Sequence, residues 1–262
     1  MFRTRERHHK YQKKGRQQPL SDSLLEAKGL RKSYGKKLAV DGVDFSMGTG
    51  EVVGLLGPNG AGKTTVFYML AGFLKPSAGT VELDGIALNG LPMYRRARLG
   101  ISYLPQEASI FRKLSVENNI MAVLEAQAGM DESARRARTA ELLQEFGISA
   151  IAKQPGYTLS GGERRRTEIA RALAIQPKFL LLDEPFTGID PIAIHEIKKT
   201  IQRLKEAGIG ILLTDHNVRD ALEITDRSYI IHLGKIVVSG DRESVLNDES
   251  ARRLYLGQEF RM

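Results

Sequence analysis

Short apolar runs alternate along the chain with longer segments in which apolar residues recur every three or four positions. Four runs are predominantly apolar: residues 52–56, 101–104, 179–182 and 209–214. Such runs are typical of strands buried on both faces, because helices cover both sides of a parallel or mixed sheet. The pattern therefore predicts an α/β fold with helices packed on such a sheet.

One helix is predicted from spacing alone. Its apolar positions recur at intervals of three and four, as on one face of an α-helix: Ile194, Ile197, Ile201 and Leu204. Asp190 and Pro191 suit its cap and first turn, and Gly208 suits its end. The apolar stripe predicts core packing rather than a cofactor site.

Weaker patterns predict the remaining elements. Residues 107–157 are rich in Ala, Glu, Arg and Leu without a good strand pattern, which predicts a mostly helical insert. Four shorter runs are typical of antiparallel strands: residues 44–46, 80–85, 229–232 and 236–239. No apolar run approaches the roughly 18 residues that a membrane-spanning helix needs.

Composition places the chain among ordinary globular proteins. Of its 262 residues, 42% are hydrophobic and 27% charged, which excludes disordered and collagen-like chains. The absence of Cys excludes thiolate catalysis, iron–sulfur clusters and Cys-bearing zinc sites.

The formal net charge is +8, but residues 1–20 hold seven Lys or Arg and one Glu. The remainder is nearly neutral and does not predict a nucleic-acid partner.

A glycine-rich loop follows the first buried run and opens a helical segment. Residues 57–65 read Gly-Pro-Asn-Gly-Ala-Gly-Lys-Thr-Thr, which fits the pattern G-x-x-x-x-G-K-[ST]. Glycines let backbone N–H groups surround a phosphate, and the helix N-terminus adds its positive dipole end. Lys63 is expected to reach the β- and γ-phosphates, and Thr64 to bind Mg²⁺. The loop predicts binding of a nucleoside triphosphate.

Two acids end the apolar run at residues 179–182. Asp183 and Glu184 would be costly to bury unless they face a cation or a polar cleft. Beside a phosphate loop, Asp183 suits the Mg²⁺ shell and Glu184 suits a general base for an attacking water. An isolated Asp-Glu pair would more simply mark a strand that ends at solvent, so this interpretation depends on the upstream loop.

Residues 159–163, Leu-Ser-Gly-Gly-Glu, precede a helical pattern and resemble the signature motif of ATP-binding cassette (ABC) ATPases. Further matches in the family's order are Tyr34, Gln106, the loop 188–190 and His216. The resemblance implies that Tyr34 stacks on adenine and that Gln106 senses Mg²⁺ and the transport subunit. It also implies that loop 188–190 crosses a dimer interface and that His216 contacts the γ-phosphate. In this family the signature segment acts on nucleotide held by a second copy.

The resemblance covers nearly all of residues 24–240 and implies a complete site. The expected catalytic residues are Glu184, His216, Gln106 and Lys63. The expected ATP contacts are Tyr34, Gly57, Pro58, Asn59, Gly60, Ala61, Gly62, Lys63, Thr64, Thr65, Ser160, Gly161, Gly162 and Asp190. The expected Mg²⁺ ligands are Thr64, Gln106 and Asp183. ATP and Mg²⁺ are thus the expected cofactors.

The implied fold is an ABC-type P-loop NTPase with a RecA-like core, an antiparallel β subdomain and a helical subdomain. Residues 1–22 are expected to form a basic, disordered extension, and residues 242–262 a C-terminal helical tail. Residues 23–241 would form the ATPase domain, with the helical subdomain at about 107–172. One phosphate loop and one signature segment per chain predict a homodimer that holds ATP at two sites.

Several stretches resemble more narrowly the ATPase subunits of lipopolysaccharide-export (Lpt) systems. They are residues 106–119, 159–174, 182–193, 211–222 and 255–262. The last is the most telling, because catalysis does not need it. The resemblance implies ATP hydrolysis that powers lipopolysaccharide extraction from the inner membrane and export to the outer membrane. Within it, Thr187 and Ile189 depart slightly from the small or apolar residues expected there, without touching an expected catalytic position.

This narrower resemblance also implies partners and a location. Phe111 and Arg112 would lie in a groove that receives two transmembrane export subunits (LptF/LptG-like), with an associated LptC-like protein. Alternatively, Ile110 and Phe111 are core of the helical insert and Arg112 is solvated. Membrane contact would be indirect, at the cytoplasmic face of the inner membrane, with no nucleic-acid partner. The run Arg164–Arg166 is interpreted as a solvated helix face.

Two other functions share parts of this pattern. The ATPase subunit of a branched-chain amino acid importer shares the cassette and much of its loop sequence. A soluble ABC ATPase of DNA repair or translation would carry a long coiled-coil insert, zinc modules or a second cassette, which this sequence lacks.

Residues 1–20 lack the apolar segment of a secretory signal. They are either a dispensable extension or a segment attracted to the anionic inner leaflet.

Overall fold

Two β-sheets and the helices packed on them form the described part of the chain. The computed structural model describes residues 22–127 and 129–256, with the backbone alone for residues 255 and 256. The expected disordered extension and most of the stretch at 255–262 lie outside these residues. The α-helices are α1 (Lys63–Ala71), α2 (Met93–Arg98), α3 (Val116–Glu125), α4 (Glu132–Glu145), α5 (Gly161–Leu173), α6 (Pro191–Glu206), α7 (Val218–Ile224), α8 (Arg242–Asn247) and α9 (Glu249–Ala251). A π-helical turn follows at Arg252–Leu256.

The smaller sheet is antiparallel and the larger is mixed. The smaller contains β1 (Leu24–Tyr34), β2 (Lys37–Gly48), β4 (Ala78–Leu83) and β5 (Ile86–Ala87) in the order β2–β1–β4–β5. The larger contains β3 (Val52–Leu56), β6 (Ile101–Leu104), β7 (Phe179–Asp183), β8 (Gly210–Thr214), β9 (Arg227–His232) and β10 (Lys235–Asp241) in the order β10–β9–β3–β8–β7–β6. Its strands are parallel except at the edge, where β10 runs antiparallel to β9. This arrangement confirms the predicted α/β fold.

Side chains of the larger sheet alternate between two separate cores. Val53 and Leu55 of β3 join α1 and the antiparallel sheet in one core. Val52 and Leu56 join α3, α4, α5 and α6 in the second core. All residues of β3, β7 and β8 are buried, because each strand contributes to both cores. The prediction of strands covered on both faces is therefore correct.

The prediction of short antiparallel strands is only partly correct. The predicted run 44–46 is the end of a strand of 12 residues, β2. Strand β1, which no apolar run indicates, pairs with β2 and with β4. Its register shifts between Ala27 and Leu30, so that the alternation of apolar and polar residues changes phase within the strand. Strand β9 pairs antiparallel with β10 as predicted, but it also pairs parallel with β3.

The predicted helical insert contains α3, α4 and two 3-10 turns, followed by α5. Between residues 107 and 157 the described chain makes no strand, only a single bridge between Ser115 and Pro155. Asn119 of α3 is fully buried. Its amide accepts from the Phe111 backbone N–H at 2.8 Å and donates to the carbonyls of Phe111 and Leu114 at 3.1 and 3.3 Å. One side chain thereby fixes the turn that carries Phe111.

Arg96 of α2 holds the C-terminal end of α1, the helix that begins in the glycine-rich loop. Arg96 is 2% exposed. Its guanidinium donates to the carbonyls of Met69 and Leu70 at 2.7 and 2.8 Å, and to that of Leu91 at 3.0 Å. Burial lowers the pKa of Arg96 to about 10, so the group is still charged at neutral pH. A cation at this position complements the negative end of the helix dipole.

Replacing Arg96 by Met is expected to lower the free energy of unfolding by about 2 kcal/mol, because buried carbonyls lose charged donors. The measurement is urea denaturation. Arg95→Met is the matched control: Arg95 is exposed on the same helix, and its replacement is expected to change stability by less than about 0.5 kcal/mol. Equal losses in the two variants would contradict the capping role.

Candidate active site

The glycine-rich loop, residues 57–65, connects β3 to α1 and is closely packed on both sides. A Cβ atom at Gly57 would lie 2.2 Å from the carbonyl oxygen of Ile231 in β9. At Gly62, where φ is +112°, it would lie 2.8 Å from the carbonyl oxygen of Ala39 in β2. Neither position accepts a larger residue, so the backbone itself forms the loop wall before the N-terminus of α1.

Lys63 lies inside this loop. It is 6% exposed, and Nζ donates to the carbonyls of Gly57 and Pro58 at 2.7 and 3.0 Å. Burial lowers the pKa of Lys63, and the negative charges of Glu184 and Asp183 oppose that shift. The loop thus encloses a cation at the start of α1, next to two carboxylates. A buried cation at a helix N-terminus attracts an anion of several charges.

Asp183 ends β7 as a buried carboxylate, 5% exposed. It accepts from the Tyr103 hydroxyl at 3.2 Å and from Thr214 Oγ1 at 2.8 Å. Burial raises the pKa of Asp183, while these hydrogen bonds and the charge of Lys63 lower it. The strand therefore does not end at solvent, as an isolated Asp-Glu pair would suggest.

Glu184 has an uncommon backbone conformation, with φ of +45°. The left-handed region costs a residue with a side chain about 1–2 kcal/mol. The Glu184 N–H donates to Thr214 Oγ1 at 3.2 Å. The turn directs the Glu184 side chain toward two other predicted residues. Gln106 Nε2 donates to Glu184 Oε2 at 2.8 Å, and His216 Nδ1 lies 3.4 Å from the same oxygen.

Ser160–Gly162 begin α5. Ser160 is the cap: its Oγ accepts from the Glu163 N–H at 3.3 Å and donates to Glu163 Oε2 at 2.7 Å. The hydrogen bonds that Glu163 Oε2 accepts from the Ser160 hydroxyl and from the Ser160 N–H lower the pKa of Glu163. Gly162 faces Ala193 of α6, whose N–H donates to the cap residue Asp190 at 2.9 Å. Among the described residues, these contacts group Ser160–Gly162 with Asp190 and not with the loop 57–65.

Tyr34 lies at the turn between β1 and β2, paired with Lys37. Its ring is 51% exposed, and Lys32 Nζ lies 5.6 Å from the ring centroid. The same hairpin reaches the glycine-rich loop through Ala39, which packs against Gly62. An exposed aromatic face on this hairpin suits stacking with a planar ligand group.

A cavity of about 270 Å³ opens beside β6 and α5, and its lining includes Phe111, Tyr103 and Arg171. Phe111 is 50% exposed, with the Arg171 guanidinium 5.1 Å from its ring centroid. Ile110 is buried and belongs to the helical core, whereas Arg112 is exposed. Each interpretation of this run therefore holds for a different residue. Ile110 is part of the core, whereas Phe111 faces a groove.

The interpretation of Arg164–Arg166 as a solvated face is wrong for its central residue. Arg165 is 6% exposed and donates to the carbonyl of Pro105 at 3.0 Å. Its guanidinium lies 3.4 Å from Glu168. Glu168 in turn accepts from the Ser109 N–H at 2.7 Å. Helix α5 thus contacts the chain on both sides of Gln106: Arg165 binds Pro105 before it, and Glu168 binds Ser109 after it.

Two residues of the cluster were missed from the sequence. Asp215 is fully buried and accepts from the Phe186 N–H at 3.1 Å. Thr187, judged to lie away from the catalytic positions, donates from Oγ1 to Glu184 Oε2 at 3.0 Å. The available signals were the acidic neighbour of His216 and a hydroxyl where a small or apolar residue was expected.

The sheet topology and the loop around Lys63 define a P-loop nucleoside triphosphatase. The chain belongs to the ABC transporter family, whose sequence profile, described as "ABC transporter", matches residues 40–187. It is 57% identical over 245 residues to a "Probable ABC transporter ATP-binding protein" of Azorhizobium caulinodans, covering 92% of this chain and 86% of the relative. It is 52% identical over 240 residues to "Lipopolysaccharide export system ATP-binding protein LptB" of Haemophilus influenzae, covering 92% of this chain and 100% of the relative.

Solved structures give the same result. The ADP conformation of an ATP-binding cassette of an ABC transporter superposes with a TM-score of 0.80 at 26% identity, covering 90% of this chain and 99% of that one. A dimeric post-hydrolysis cassette bound to ADP and Pi gives 0.74 at 26% identity, covering 83% and 98%. The chain is therefore a nucleotide-binding ABC ATPase, and the predicted fold class is confirmed.

Proposed function

We propose that this chain is the ATPase subunit of a lipopolysaccharide exporter, which hydrolyses ATP to power extraction from the inner membrane and export to the outer membrane. The main support is that the chain aligns with the whole length of LptB from Haemophilus influenzae at 52% identity. The cluster of Glu184, Gln106 and His216 supports the hydrolytic part of the proposal.

ATP and Mg²⁺ fit the residues around the loop. No group of three or more His, Asp or Glu side chains among the described residues forms a metal site by itself. This agrees with Mg²⁺ sites in nucleotide enzymes, which use one or two carboxylates together with phosphate oxygens. Thr64, Asp183 and Gln106 would hold the ion. When bound, Mg²⁺ would neutralise charge that develops on the phosphates.

The residues divide the chemistry of hydrolysis among them. Glu184, as a carboxylate, would accept a proton from the attacking water. Lys63 and the N-terminus of α1 would stabilise negative charge on the β- and γ-phosphates. His216 would contact the γ-phosphate, and Tyr34 would stack on adenine. Asp183, a buried carboxylate that accepts from two hydroxyls, would act as an ion ligand and not as a second base.

The working unit is proposed to be a homodimer with two composite sites. Ser160–Gly162 and Asp190 lie near each other, because Gly162 at the start of α5 packs against Ala193 in the first turn of α6. A second copy, related by a two-fold axis, would bring its own Ser160–Gly162 to that loop. A cassette of this fold has been solved as a dimer with ADP and Pi.

The groove at Phe111 is the proposed docking site for two transmembrane export subunits (LptF/LptG-like), with an LptC-like protein attached to them. Phe111 combines an exposed ring with a backbone whose N–H and carbonyl are both hydrogen-bonded to Asn119. A rigid aromatic residue at the edge of a cavity is typical of an interface anchor. Arg112, exposed beside it, would pair with polar groups at the rim.

Replacing Phe111 by Ala is expected to reduce the amount of membrane protein that co-purifies with the chain roughly tenfold or more, because an anchor is lost. The affinity for ATP is expected to stay unchanged. Ile86→Ala is a matched control, since Ile86 is 52% exposed on the edge strand β5 and lies outside the groove. Equal recovery of membrane partners by the two variants would argue against this docking site.

The proposed location is the cytoplasmic face of the inner membrane, reached through these partners. Within the described part of the chain, no helix combines the length and apolar character needed to cross a bilayer.

The deciding experiment is purification of the tagged full chain from detergent-solubilised membranes, with identification of the proteins that accompany it. Two transmembrane export subunits are expected. Permease subunits with a periplasmic binding protein would replace this proposal by the importer, and ATPase activity stimulated by DNA or ribosomes would favour a soluble ABC ATPase.

A further inference from the structure

The hydroxyl of Thr187 lies between two side chains of the candidate active site. Thr187 Oγ1 is 3.0 Å from Glu184 Oε2 and 3.2 Å from His216 Nδ1. An ionised carboxylate can only accept hydrogen bonds, so the single hydroxyl hydrogen is directed to Glu184. The oxygen lone pairs of Thr187 are then available to accept from His216 Nδ1–H. One hydroxyl thus joins both residues.

The backbone around Thr187 is held firmly, so the hydroxyl has a defined position. The Thr187 N–H donates to the carbonyl of Glu184 at 3.2 Å, which closes a tight turn. The preceding Phe186 N–H donates at 3.1 Å to Asp215, which also accepts from the Asn217 N–H at 2.8 Å. The turn after β7 is thereby tied to the segment that carries His216.

The same contacts orient the Glu184 carboxylate. Gln106, Thr187 and His216 all approach Oε2, at 2.8, 3.0 and 3.4 Å. With its donors gathered on Oε2, the carboxylate presents Oε1 as the oxygen to accept a proton from water. If Gln106 turns away to hold an ion, Thr187 is the neutral donor that still holds Oε2.

We propose that Thr187 is a positioning residue for ATP hydrolysis, whose hydroxyl fixes the Glu184 carboxylate and the His216 ring relative to each other. This inference rests on the proposed roles of Glu184 and His216. Thr187 also opens the loop that leads to Asp190 at the start of α6.

The test compares Thr187→Val, which keeps the shape but removes the hydroxyl, with Thr187→Ser, which keeps the hydroxyl. The valine variant is expected to lower kcat about tenfold, with KM for ATP within about twofold. The reason is that the Glu184 carboxylate loses a hydrogen bond that positions it. The serine variant is expected to restore kcat to within about twofold of the wild type. Thr200→Val is the control, since the buried Thr200 hydroxyl donates to the Glu196 carbonyl and accepts from Arg203, both within α6 and outside the cluster. Thr187→Ala repeats the comparison if valine does not fold.

A second measurement separates this inference from the proposed function. In a Glu184→Gln background, Thr187→Val is expected to lower single-turnover hydrolysis by clearly less than tenfold, because the carboxylate is gone and only the contact with His216 is still lost. Equal kcat in the valine and serine variants, a rise in KM alone, or a full additional loss in the Gln background would overturn the positioning role. If Glu184→Gln itself keeps wild-type turnover, the proposed base is wrong instead.

Discussion

Glu184→Gln is expected to reduce ATP turnover about a thousandfold, because a neutral amide cannot accept the proton of the attacking water. The substitution keeps the size of the side chain and an oxygen that can still accept from Gln106 and Thr187. Binding of MgATP is therefore expected to persist, and the ATP-bound dimer to be long-lived. Phosphate release gives the rate, and size-exclusion chromatography with ATP reports the dimer.

The control for this variant is Glu206→Gln, at the exposed C-terminal end of α6. It makes the same chemical change away from the cluster and is expected to leave turnover unaltered. Rapid turnover by Glu184→Gln would remove Glu184 from the role of base. Loss of MgATP binding would instead place Glu184 among the binding residues.

Lys63→Ala is expected to weaken ATP binding about a hundredfold. Charge-assisted hydrogen bonds to phosphate are among the stronger polar contacts, and a loss of about 2.7 kcal/mol corresponds to that factor. The buried position of Lys63 increases the effect, since little solvent screens its charge there. Isothermal titration with a slowly hydrolysed ATP analogue measures the change.

This second variant also removes the ammonium that the carbonyls of Gly57 and Pro58 accept from. The thermal midpoint must therefore be measured beside affinity, to separate loss of the fold from loss of the contact. Lys199→Ala, on the exposed side of α6, is the charge-matched control. Unchanged affinity in a folded Lys63→Ala protein would contradict the assignment of the loop.

The elements predicted correctly are those whose pattern is local and uninterrupted. Strands β3 and β7 contain apolar residues only, apart from the final Asp183 and the glycine of β3. Helix α6 repeats its apolar positions without a break and begins at the cap residue Asp190, as predicted. The glycine-rich loop is likewise a continuous segment. In each case the physical cause lies within a few residues of its effect.

The features that were missed depend on contacts across the fold. Strand β1 changes phase at a bulge, so that no single period describes it. Arg165 is buried because α5 packs against the segment that ends at Pro105, 60 residues away along the chain. The hydroxyl of Thr187 reaches Glu184 only because the intervening turn folds back. Partners of this kind become visible only with the tertiary structure.

The left-handed backbone at Glu184 has a further consequence, for how this protein balances robustness against activity. Glycine would adopt the same φ of +45° without the steric cost that a side chain carries there, so the local backbone favours a residue that cannot act as a base. The surrounding hydrogen bonds, from Glu184 to Thr214 and from Phe186 to Asp215, offset that local cost. The local backbone preference is thus opposed to the side chain that the proposed hydrolysis needs at this position.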